Sequence, residues 1–549
     1  MSEAAPRPLG LHAGSGRRSA PVLPPPWTIT AAFGLVYVIL ALPSSDLAAA
    51  SYRSDLFSRV GFTLWDDSWY AGHHLLAYSV LAPALGSLIG PQVLAALSMT
   101  AAAALFAAII GGRYPRRATR IAAAWFAVGA AVQLLSNRVP FDLGLAIALG
   151  AVLLCLRDRL GAALGLAVLT SLASPVDGAF LALVWVAWGL AEARRGWPVV
   201  LAIATLAPIA LLALVFPEGG SQPFVPSAFY PAMAGVLLIA ALVPPEQRVL
   251  RIGTLLYAAA LIGSYVLSTA VGANADRLGA IFGAPVAALL LLGGSTIGRR
   301  PRLLLAAAPL LLYWQANAPV SDFAAAISDP AVHAPYYDPL LGELQALGVG
   351  YRGRPARVEV VPITDHWEAR FLAPRVMIAR GWERQLDRYR DGLFYDESGP
   401  LTPARYRAWL SEQSVSYVAL PDAPLDYSSI SEGRLLRGQL AGGLPPYLRE
   451  VWHSAHWRLF AVAEPRPLLE GGGALTRVTT DSFTLAAPRA GDYTVRLHFT
   501  PYWALAGGHG CVSRASGDWT RVQARGPGVL RVVIAFSLRR VFDHGARCR

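Results

Sequence analysis

The chain has 549 residues, of which 54% are hydrophobic, and its mean hydropathy of +0.43 is too high for a soluble protein of this length. It contains no lysine, so all 47 basic residues are arginine, which is typical of a GC-rich genome such as that of an actinobacterium. The net charge of +12 is concentrated in the N-terminal tail and in loops between apolar segments, which favours contact with anionic lipid and excludes nucleic acid as the expected partner.

Eleven apolar segments between residues 27 and 316 are predicted to cross the membrane, because a span requires about twenty apolar residues. A leader, 1–26, precedes them; it is rich in proline and arginine, lacks a clear cleavage site and is predicted to be disordered in the cytoplasm. The predicted spans are 27–48, 92–112, 121–136, 142–156, 160–174, 178–193, 197–216, 229–245, 252–271, 279–296 and 302–316. If 160–174 and 178–193 were one span with a re-entrant piece, the C-terminal half would lie in the cytoplasm.

The distribution of arginine predicts the orientation of these spans, because basic loops resist translocation. With the N-terminus inside, the inner arginines are Arg7, Arg17, Arg18, Arg113, Arg116, Arg117, Arg120, Arg157, Arg159, Arg194, Arg195, Arg248, Arg251, Arg299, Arg300 and Arg302. The outer connectors carry only Arg53, Arg59, Arg138 and Arg277, but hold Asp46, Asp55, Asp66, Asp67, Asp142, Asp177 and Asp276. The chain is therefore predicted to be a multi-pass plasma-membrane protein with a cytoplasmic N-terminus and an extracytoplasmic C-terminal half.

The connectors and the C-terminal half define the remaining domains. The first outer connector, 49–91, is much longer than the others and is predicted to contain short interfacial helices. Residues 317–466 alternate strand-like and amphipathic helical segments, which is typical of a mixed α/β domain. Residues 467–549 contain short alternating strands separated by turn residues, which is typical of a jelly-roll-like β-sandwich. The predicted fold class is a polytopic α-helical membrane protein followed by an extracytoplasmic α/β domain and a C-terminal β-sandwich.

Three cysteines are present. Cys511 and Cys548 both fall in the predicted extracytoplasmic part, where thiols oxidise, and they predict a structural disulfide that ties a strand to the chain end. Cys155 lies in an apolar span and is expected to be inert packing.

The sequence WDDSWYAGHH, 65–74, concentrates groups that can carry chemistry in the first outer connector. Asp66 and Asp67 could act as a general base toward an acceptor hydroxyl. With His73 and His74 they could instead bind a divalent cation, Mg²⁺ or Mn²⁺, that holds a phosphate. An interfacial aromatic belt with solvated acids and histidines explains the same residues without chemistry. On the residues alone, these interpretations stay open.

The layout of 27–316, with WDDSWYAG (65–72) after the first span, resembles the GT-C class of integral-membrane glycosyltransferases. Members of that class take a sugar from a polyprenyl-phosphate donor and pass it to an acceptor on the extracytoplasmic side. The resemblance implies that Asp66 or Asp67 is the catalytic base of an inverting transfer. The predicted sandwich resembles the sugar-binding modules of actinobacterial arabinosyl- and mannosyltransferases. Two features depart from the family pattern: the acid pair lies further from the first span than usual, and Asp67 stands where many members have Glu.

Three more residues lie on the same predicted face of the membrane. Arg138 is expected to hold the donor phosphate, because a guanidinium can bind phosphate bidentately. Asp142 and Asp177 are expected to orient ligands together with His73 and His74. The alternative is that these charges only cap helix ends.

In the α/β domain, His366, Trp367 and Glu368 follow a predicted strand. They are candidates for an acceptor groove, because aromatic rings stack on sugar faces. A contact between the domain and the membrane is the alternative.

These features predict a transferase that moves a sugar from a polyprenyl-phosphate donor to a cell-envelope glycan or lipid, with a divalent cation as its only expected cofactor. A transporter or lipid flippase is one alternative, in which the outer acids line a translocation path. A non-catalytic envelope assembly protein that keeps the transferase fold is another. The lack of an inverted repeat and the predicted outer domain argue against the transporter.

Overall fold

The computed structural model describes residues 24–192, 196–293, 300–395, 399–440, 442–542 and 548. Most of the predicted leader lies outside these residues, as do several arginines used above to predict orientation: Arg7, Arg17, Arg18, Arg194, Arg195 and Arg299.

The first half of the described chain is helical. Its helices are α1 (Trp27–Ile39), α2 (Ser45–Val60), α3 (Ala82–Ile89), α4 (Pro91–Ile110), α5 (Arg116–Gln133), α6 (Val139–Leu156), α7 (Leu160–Ala173), α8 (Pro175–Ala191), α9 (Gly196–Val215), α10 (Pro226–Leu242), α11 (Arg248–Val266), α12 (Arg277–Gly293) and α13 (Pro301–Ala326). Proline stands in the first turn of α4, α6, α8, α10 and α13. A backbone N–H in the first turn has no acceptor within the helix, so proline, which lacks the N–H, removes no helical hydrogen bond there.

Each predicted span overlaps one of these helices, but α1 already ends at Ile39, so α2 begins inside the predicted first span, 27–48, and continues into the long first connector, which also holds α3. Among the described residues, six helical segments are long and apolar enough to cross a membrane: α4, α6, α9, α11, α13, and α12 with the short turn before it. The shorter apolar helices are α1, α7, α8 and α10, and α5 begins with several arginines. The structure therefore has a helical core with six candidate spans, and the total of eleven stays a prediction.

Small side chains dominate the contacts inside this helical core. The buried cluster around α4, α5 and α12 contains Ala95, Ala102, Ala127, Ala130 and Ala287, each with almost no exposed surface. Small residues let helix backbones approach closely, which is how helices associate in lipid without a hydrophobic driving force between them.

The α/β region, which the sequence predicts to lie outside the membrane and which we call the outer domain for that reason, contains a mixed five-stranded sheet. Its helices are α14 (Asp338–Ala346), α15 (Glu368–Phe371), α16 (Arg384–Arg390), α17 (Pro403–Glu412) and α18 (Ile430–Leu436). Together with β1 (Trp65–Asp66) and β2 (His73–His74) of the first connector, the strands up to this point are β3 (Arg357–Val360), β4 (Met377–Ile378), β5 (Val415–Pro421), β6 (Leu448–His453) and β7 (Trp457–Val462). The sheet order is β4-β3-β5-β7-β6; β3 is parallel to β4 and β5, and the other pairs are antiparallel.

The C-terminal region is strand-rich. It contains β8 (Leu469–Glu470), β9 (Ala474–Val478), β10 (Ser482–Ala487), β11 (Gly491–His498), β12 (Trp503–Gly507), β13 (Gly510–Arg514), β14 (Trp519–Ala524) and β15 (Gly528–Ile534), followed by α19 (Leu538–Val541). The strands form two antiparallel sheets, β12-β15-β10-β9 and β13-β14-β11-β8, that share one apolar core. Cys511 on β13 is disulfide-bonded to Cys548, with 5.4 Å between their Cα atoms.

A network of buried charges lies inside the α/β region. Arg380 is fully buried and makes two hydrogen bonds to the carboxylate of Asp387, at 3.0 and 2.6 Å. Glu432 lies 3.6 Å from the same guanidinium, and Glu359 and Asp391 are close enough to interact with it electrostatically. One arginine is therefore shared among four buried carboxyl groups.

This excess of buried acid predicts that the outer domain loses stability as the pH rises. Burial raises the pKa of Glu432 and of Asp391 to about 7 each. Because these values exceed those of an unfolded chain, about 4, the folded state binds more protons between pH 4 and 7, and its stability falls across that window. We expect the domain to resist thermal unfolding and proteolysis better at pH 5.5 than at pH 8.

The Glu432→Gln variant tests this prediction, because it removes one titrating group while leaving an oxygen to accept the 2.6 Å hydrogen bond from Tyr406. The difference in melting temperature between pH 5.5 and pH 8 should be smaller in this variant than in the parent protein. An equal pH dependence in the two proteins would contradict the assignment.

Candidate functional site

The acidic motif of the first connector forms a hairpin, residues 65–74, in which β1 pairs antiparallel with β2. Its tip contains three consecutive residues in left-handed backbone conformation: Tyr70 (φ 54°), Ala71 (φ 58°) and Gly72 (φ 112°). Residues with side chains persist in this conformation only where surrounding contacts impose it. Glycine is required at 72, because a Cβ atom there would lie 2.4 Å from the Trp65 ring.

The contacts that impose this conformation come from the α/β domain and from the C-terminal sandwich. Arg390 of α16 donates a 2.7 Å hydrogen bond to the carbonyl of Tyr70 and another to that of Gly72. The backbone bonds are His498 N–H to Ala71 O at 2.7 Å, Ile378 N–H to Ser68 O at 3.0 Å and Asp67 N–H to Thr480 O at 2.7 Å. The hairpin therefore joins the helical domain to the α/β domain and to the sandwich.

Asp66 and Asp67 are both fully buried within this junction. Asp66 accepts hydrogen bonds from the Tyr52 hydroxyl at 2.8 Å and from the backbone N–H of Ser68 at 2.9 Å, and Asp67 accepts one from the Trp65 indole at 2.6 Å. Burial raises the pKa of Asp66 and raises that of Asp67 well above its usual range. Asp67 therefore keeps its proton to a higher pH than a solvated aspartate.

The two histidines of the motif also lie inside the junction. Burial lowers the pKa of His73 to about 3, so its imidazole is neutral at physiological pH; its Nε2 lies 3.9 Å from Glu383 Oε1. His74 places Nδ1 3.0 Å from Glu218 and Nε2 3.0 Å from Thr500, which links the loop after α9 to the sandwich.

A second group of charges gathers where the first turn of α2, the start of α6 and the last turns of α13 meet. Arg138, which precedes α6, donates from Nε to Asp46 Oδ2 at 3.1 Å and from Nη2 to Asp322 Oδ2 at 3.3 Å. Asp322 also accepts a 2.7 Å hydrogen bond from Ser136. The side chains of Asp46 and Asp322 are 22% and 29% exposed, so molecules outside the helical core can reach these carboxylates.

Two buried carboxyl groups, those of Asp142 and Asp177, lie beside Arg138, Asp46 and Asp322. Among the described residues, neither oxygen of Asp142 nor Oδ2 of Asp177 has a hydrogen-bond partner. A Cβ atom at Gly144 of α6 would lie 2.6 Å from Asp177 Oδ2, so glycine there allows the carboxyl group of α8 to approach α6 closely. Asp142 is near enough to Asp177, Arg138 and Asp46 to interact with them electrostatically. We call Asp46, Arg138, Asp142, Asp177, Arg277 and Asp322 the outer polar cluster, after the side of the membrane on which the sequence predicts them to lie.

Some members of this cluster were not chosen from the sequence. Asp46 is the first carboxylate after α1, and this position shortly after the first helix is the feature of the sequence that could have indicated it as a site residue. Asp322 lies beyond the predicted end of the last span, because α13 continues to Ala326. Arg277, which begins α12 and packs 5.4 Å from the Phe141 ring centre, was named from the sequence only as one of four arginines in the predicted outer connectors. The contact between Arg138 and Asp46 spans 92 residues of sequence, which no local pattern reports.

The acceptor-groove candidates lie inside the α/β domain. His366, Trp367 and Glu368 are all buried, and His366 Nδ1 lies 3.1 Å from Glu368. The ring of His366 stacks on Trp382 at 4.3 Å, and Trp382 donates a 3.0 Å hydrogen bond to the carbonyl of Ser45. Because Ser45 precedes Asp46, this tryptophan brings the outer domain next to the outer polar cluster.

The part of the chain that the structure describes has no group of three or more His, Cys, Asp or Glu placed to hold a metal ion. The predicted divalent cation stays a prediction, and we derive no chemical step through one.

No family model matches this chain, and no curated protein matches it. Among solved structures, this chain is similar to two structures of one mutant of the arabinofuranosyltransferase AftD from Mycobacteria. The sequence identity is 17% in each case. The matches cover 81% and 84% of this chain with TM-scores of 0.44 and 0.39, and this chain spans only 42% of the mycobacterial protein. It is also similar to the Archaeoglobus fulgidus oligosaccharyltransferase tethered with an acceptor peptide, at 14% identity over 72% of this chain and 68% of that one, with a TM-score of 0.36.

These structural neighbours are membrane glycosyltransferases of the GT-C type, the class that the first outer connector resembles. Because every TM-score is below 0.5, the function proposed for this protein depends on its own residues.

Proposed function

We propose that this protein is a membrane glycosyltransferase that moves a sugar from a polyprenyl-phosphate donor to a glycan or lipid acceptor of the cell envelope, on the outer face. The observation that carries the proposal is the outer polar cluster. It combines two arginines, two partly exposed carboxylates and two buried carboxyl groups at one end of a helical membrane domain, and three oxygens of the buried pair have no hydrogen-bond partner among the described residues. Buried acids at the edge of a membrane are costly, and they are usually kept for function.

The proposed reaction uses two members of the cluster directly. The Asp46 carboxylate accepts the proton of the acceptor hydroxyl, whose oxygen then forms a bond to the anomeric carbon of the donor sugar. The bond from that carbon to the phosphate oxygen breaks, and the electron pair leaves with polyprenyl phosphate, so the configuration inverts. Arg138 offsets the charge that develops on the departing phosphate.

The buried carboxyl groups supply orientation in this proposal. Sugar hydroxyls are hydrogen-bond donors, and both oxygens of Asp142 and Oδ2 of Asp177 are acceptors without partners among the residues that the structure describes. A bound sugar would satisfy them and so offset the cost of burying them. Arg277 helps to balance their negative charge.

Asp66 and Asp67, the base predicted from the sequence, remain the alternative. They have no exposed surface, so an acceptor hydroxyl would reach them only after the junction opened. In the proposed mechanism, Asp66 and Asp67 position the α/β domain and the sandwich over the outer polar cluster.

The Arg138→Gln variant tests the proposal. We expect transfer of a radiolabelled sugar from polyprenyl phosphate, measured in membranes that contain the full chain, to fall by about 10²–10³-fold, the usual cost of removing one donor to a developing negative charge. Lysine at this position should restore part of the activity, because it keeps the charge but not the forked geometry.

The matched control is Arg113→Gln, an exposed arginine after α4 that donates to a backbone carbonyl at the opposite end of the helices. It should transfer at the parent rate. Full activity in Arg138→Gln, or transfer by neither the parent protein nor any variant, would overturn the proposal and favour the non-catalytic assembly protein.

A further inference from the structure

The segment that follows β15, residues 535–542, lies beside the last turn of α9. Tyr502 of the sandwich donates a hydrogen bond to the carbonyl of Val215, the last residue of α9. The ring centres of Tyr502 and Phe536 lie 5.4 and 6.2 Å from that of Phe216. The C-terminal sandwich therefore contacts the helical domain at one end of a helix that is long and apolar enough to cross a membrane.

The short helix α19 is held against this contact. Arg540 donates hydrogen bonds to two backbone carbonyls of the sandwich, those of Tyr502 and Trp503, at 3.2 and 3.0 Å. Val541 packs against the small apolar cluster at the end of α9. The disulfide of Cys548 ties the chain beyond α19 back to β13. The position of α19 is therefore fixed by both the sandwich and the helical domain.

Large apolar side chains of this segment point away from the rest of the described chain. Leu538 and Phe542 are 73% and 81% exposed, and Phe536, just before the helix, is half-exposed. Arg539 is exposed among them. Exposed apolar side chains that are grouped in this way mark a surface that contacts a partner.

The adjoining surface of α9 identifies that partner. Leu211 and Leu214, in the last two turns of α9, are also largely exposed. Because α9 is apolar along its whole length and can cross the membrane, its exposed leucines face lipid. Phe536 packs beside Phe216, the residue directly after α9, so the exposed side chains of 535–542 continue this lipid-facing surface at its edge.

We propose that Phe536, Leu538 and Phe542 insert into the lipid interface where α9 ends and so seat the C-terminal sandwich on the membrane. The partner is the lipid surface itself. Apolar side chains on one short element at the end of a span suit the boundary between head groups and acyl chains. Arg539 suits the same boundary, because its long stem lets the charge stay among the polar head groups. This contact requires no sugar transfer and does not depend on the proposed function.

Fluorescence quenching in the full chain tests the proposal. A bimane label is attached at Leu538→Cys in a Cys155→Ala background that keeps the disulfide, and the protein is reconstituted into nanodiscs of phosphatidylcholine and phosphatidylglycerol. Val529→Cys is the matched position: it is also exposed, but it lies on β15 five residues before Ile534, roughly 16 Å further from α19. We expect quenching by 5-doxyl phosphatidylcholine to be at least threefold stronger at 538 than at 529, and quenching by aqueous iodide to be at least threefold weaker.

A second substitution tests whether neighbouring apolar side chains hold the label in lipid. Phe542→Asp, added to the protein labelled at 538, should reduce quenching by the doxyl lipid at least twofold, whereas Val529→Asp should leave it unchanged. Because bimane is itself apolar, the unsubstituted chain is also photolabelled with phosphatidylcholine that carries a diazirine on its acyl chain. Peptide mass spectrometry should map part of that label to residues 536–542.

Three results would overturn the proposal. One is equal quenching by the doxyl lipid at 538 and 529, and another is acyl-chain label that is absent from 536–542. The third is protection of 538 from both the doxyl lipid and iodide, which would indicate that a protein surface, such as a second copy of this chain, covers the segment.

Discussion

Replacing Asp46 by asparagine should lower the rate of sugar transfer by about 10²–10⁴-fold, the range expected when a general base is removed. Asparagine has nearly the same shape and can still accept a hydrogen bond from Arg138, so the helical core should be preserved. The lost function is proton acceptance from the acceptor hydroxyl. The measurement is the initial rate of transfer in membranes, normalised to the amount of inserted protein.

Two aspartates serve as controls for this substitution. Asp492→Asn changes an exposed acid on β11 that lies 3.9 Å from Arg521, far from the outer polar cluster in the fold, and should have no effect. Asp67→Asn separates the two candidate bases. Burial raises the pKa of Asp67 well above its usual range, and the carboxyl group accepts the 2.6 Å hydrogen bond of the Trp65 indole, which an amide oxygen can also accept, so asparagine should be tolerated. If Asp67→Asn abolished transfer and Asp46→Asn did not, the base predicted from the sequence would be the correct one.

Replacing Arg380 by methionine should destabilise the α/β domain by about 3–5 kcal/mol at pH 7.5, the usual cost of removing one partner from a buried ion pair. Methionine has a similar length but cannot donate to Asp387, Ser428 or Ser429, which the guanidinium contacts at 2.6–3.2 Å. The remaining buried acids would then lack their cation. Pulse proteolysis across a urea series, with fragments assigned to the outer domain, measures the change.

A surface arginine supplies the matched control for this stability effect. Arg458 also makes two hydrogen bonds to one carboxylate, that of Glu450, but its side chain is 42% exposed. Arg458→Met should cost less than about 1 kcal/mol, as exposed pairs do. The loss in Arg380→Met should also shrink at pH 5.5, where more of the neighbouring acids are protonated. Equal losses in the two variants would show that burial of the network does not matter.

Most helices and strands could be predicted from the sequence, because each depends on residues that are close together along the chain. Residues 196–215 are apolar on all sides of the helix, which indicates a span from composition alone. Burial alternates along β10, and the sequence alternation that produces it indicates a strand. Helix ends were less accessible. The last predicted span stops at 316 although α13 continues through Asp322, because its final turns combine apolar and polar residues.

The hydropathy and the alternating strand-like segments of the chain were enough to predict a membrane domain and a strand-rich C-terminal region, since these properties are sums over local segments. The orientation that the arginines predict stays a prediction. Which carboxylates meet which arginines depended on the packing of helices far apart in sequence. Arg138 lies 184 residues from Asp322 along the chain yet contacts it, whereas the conspicuous Asp66-Asp67 pair is buried between domains. Burial and partner choice determine whether a carboxyl group can act on a substrate, and both arise only when separate segments pack together.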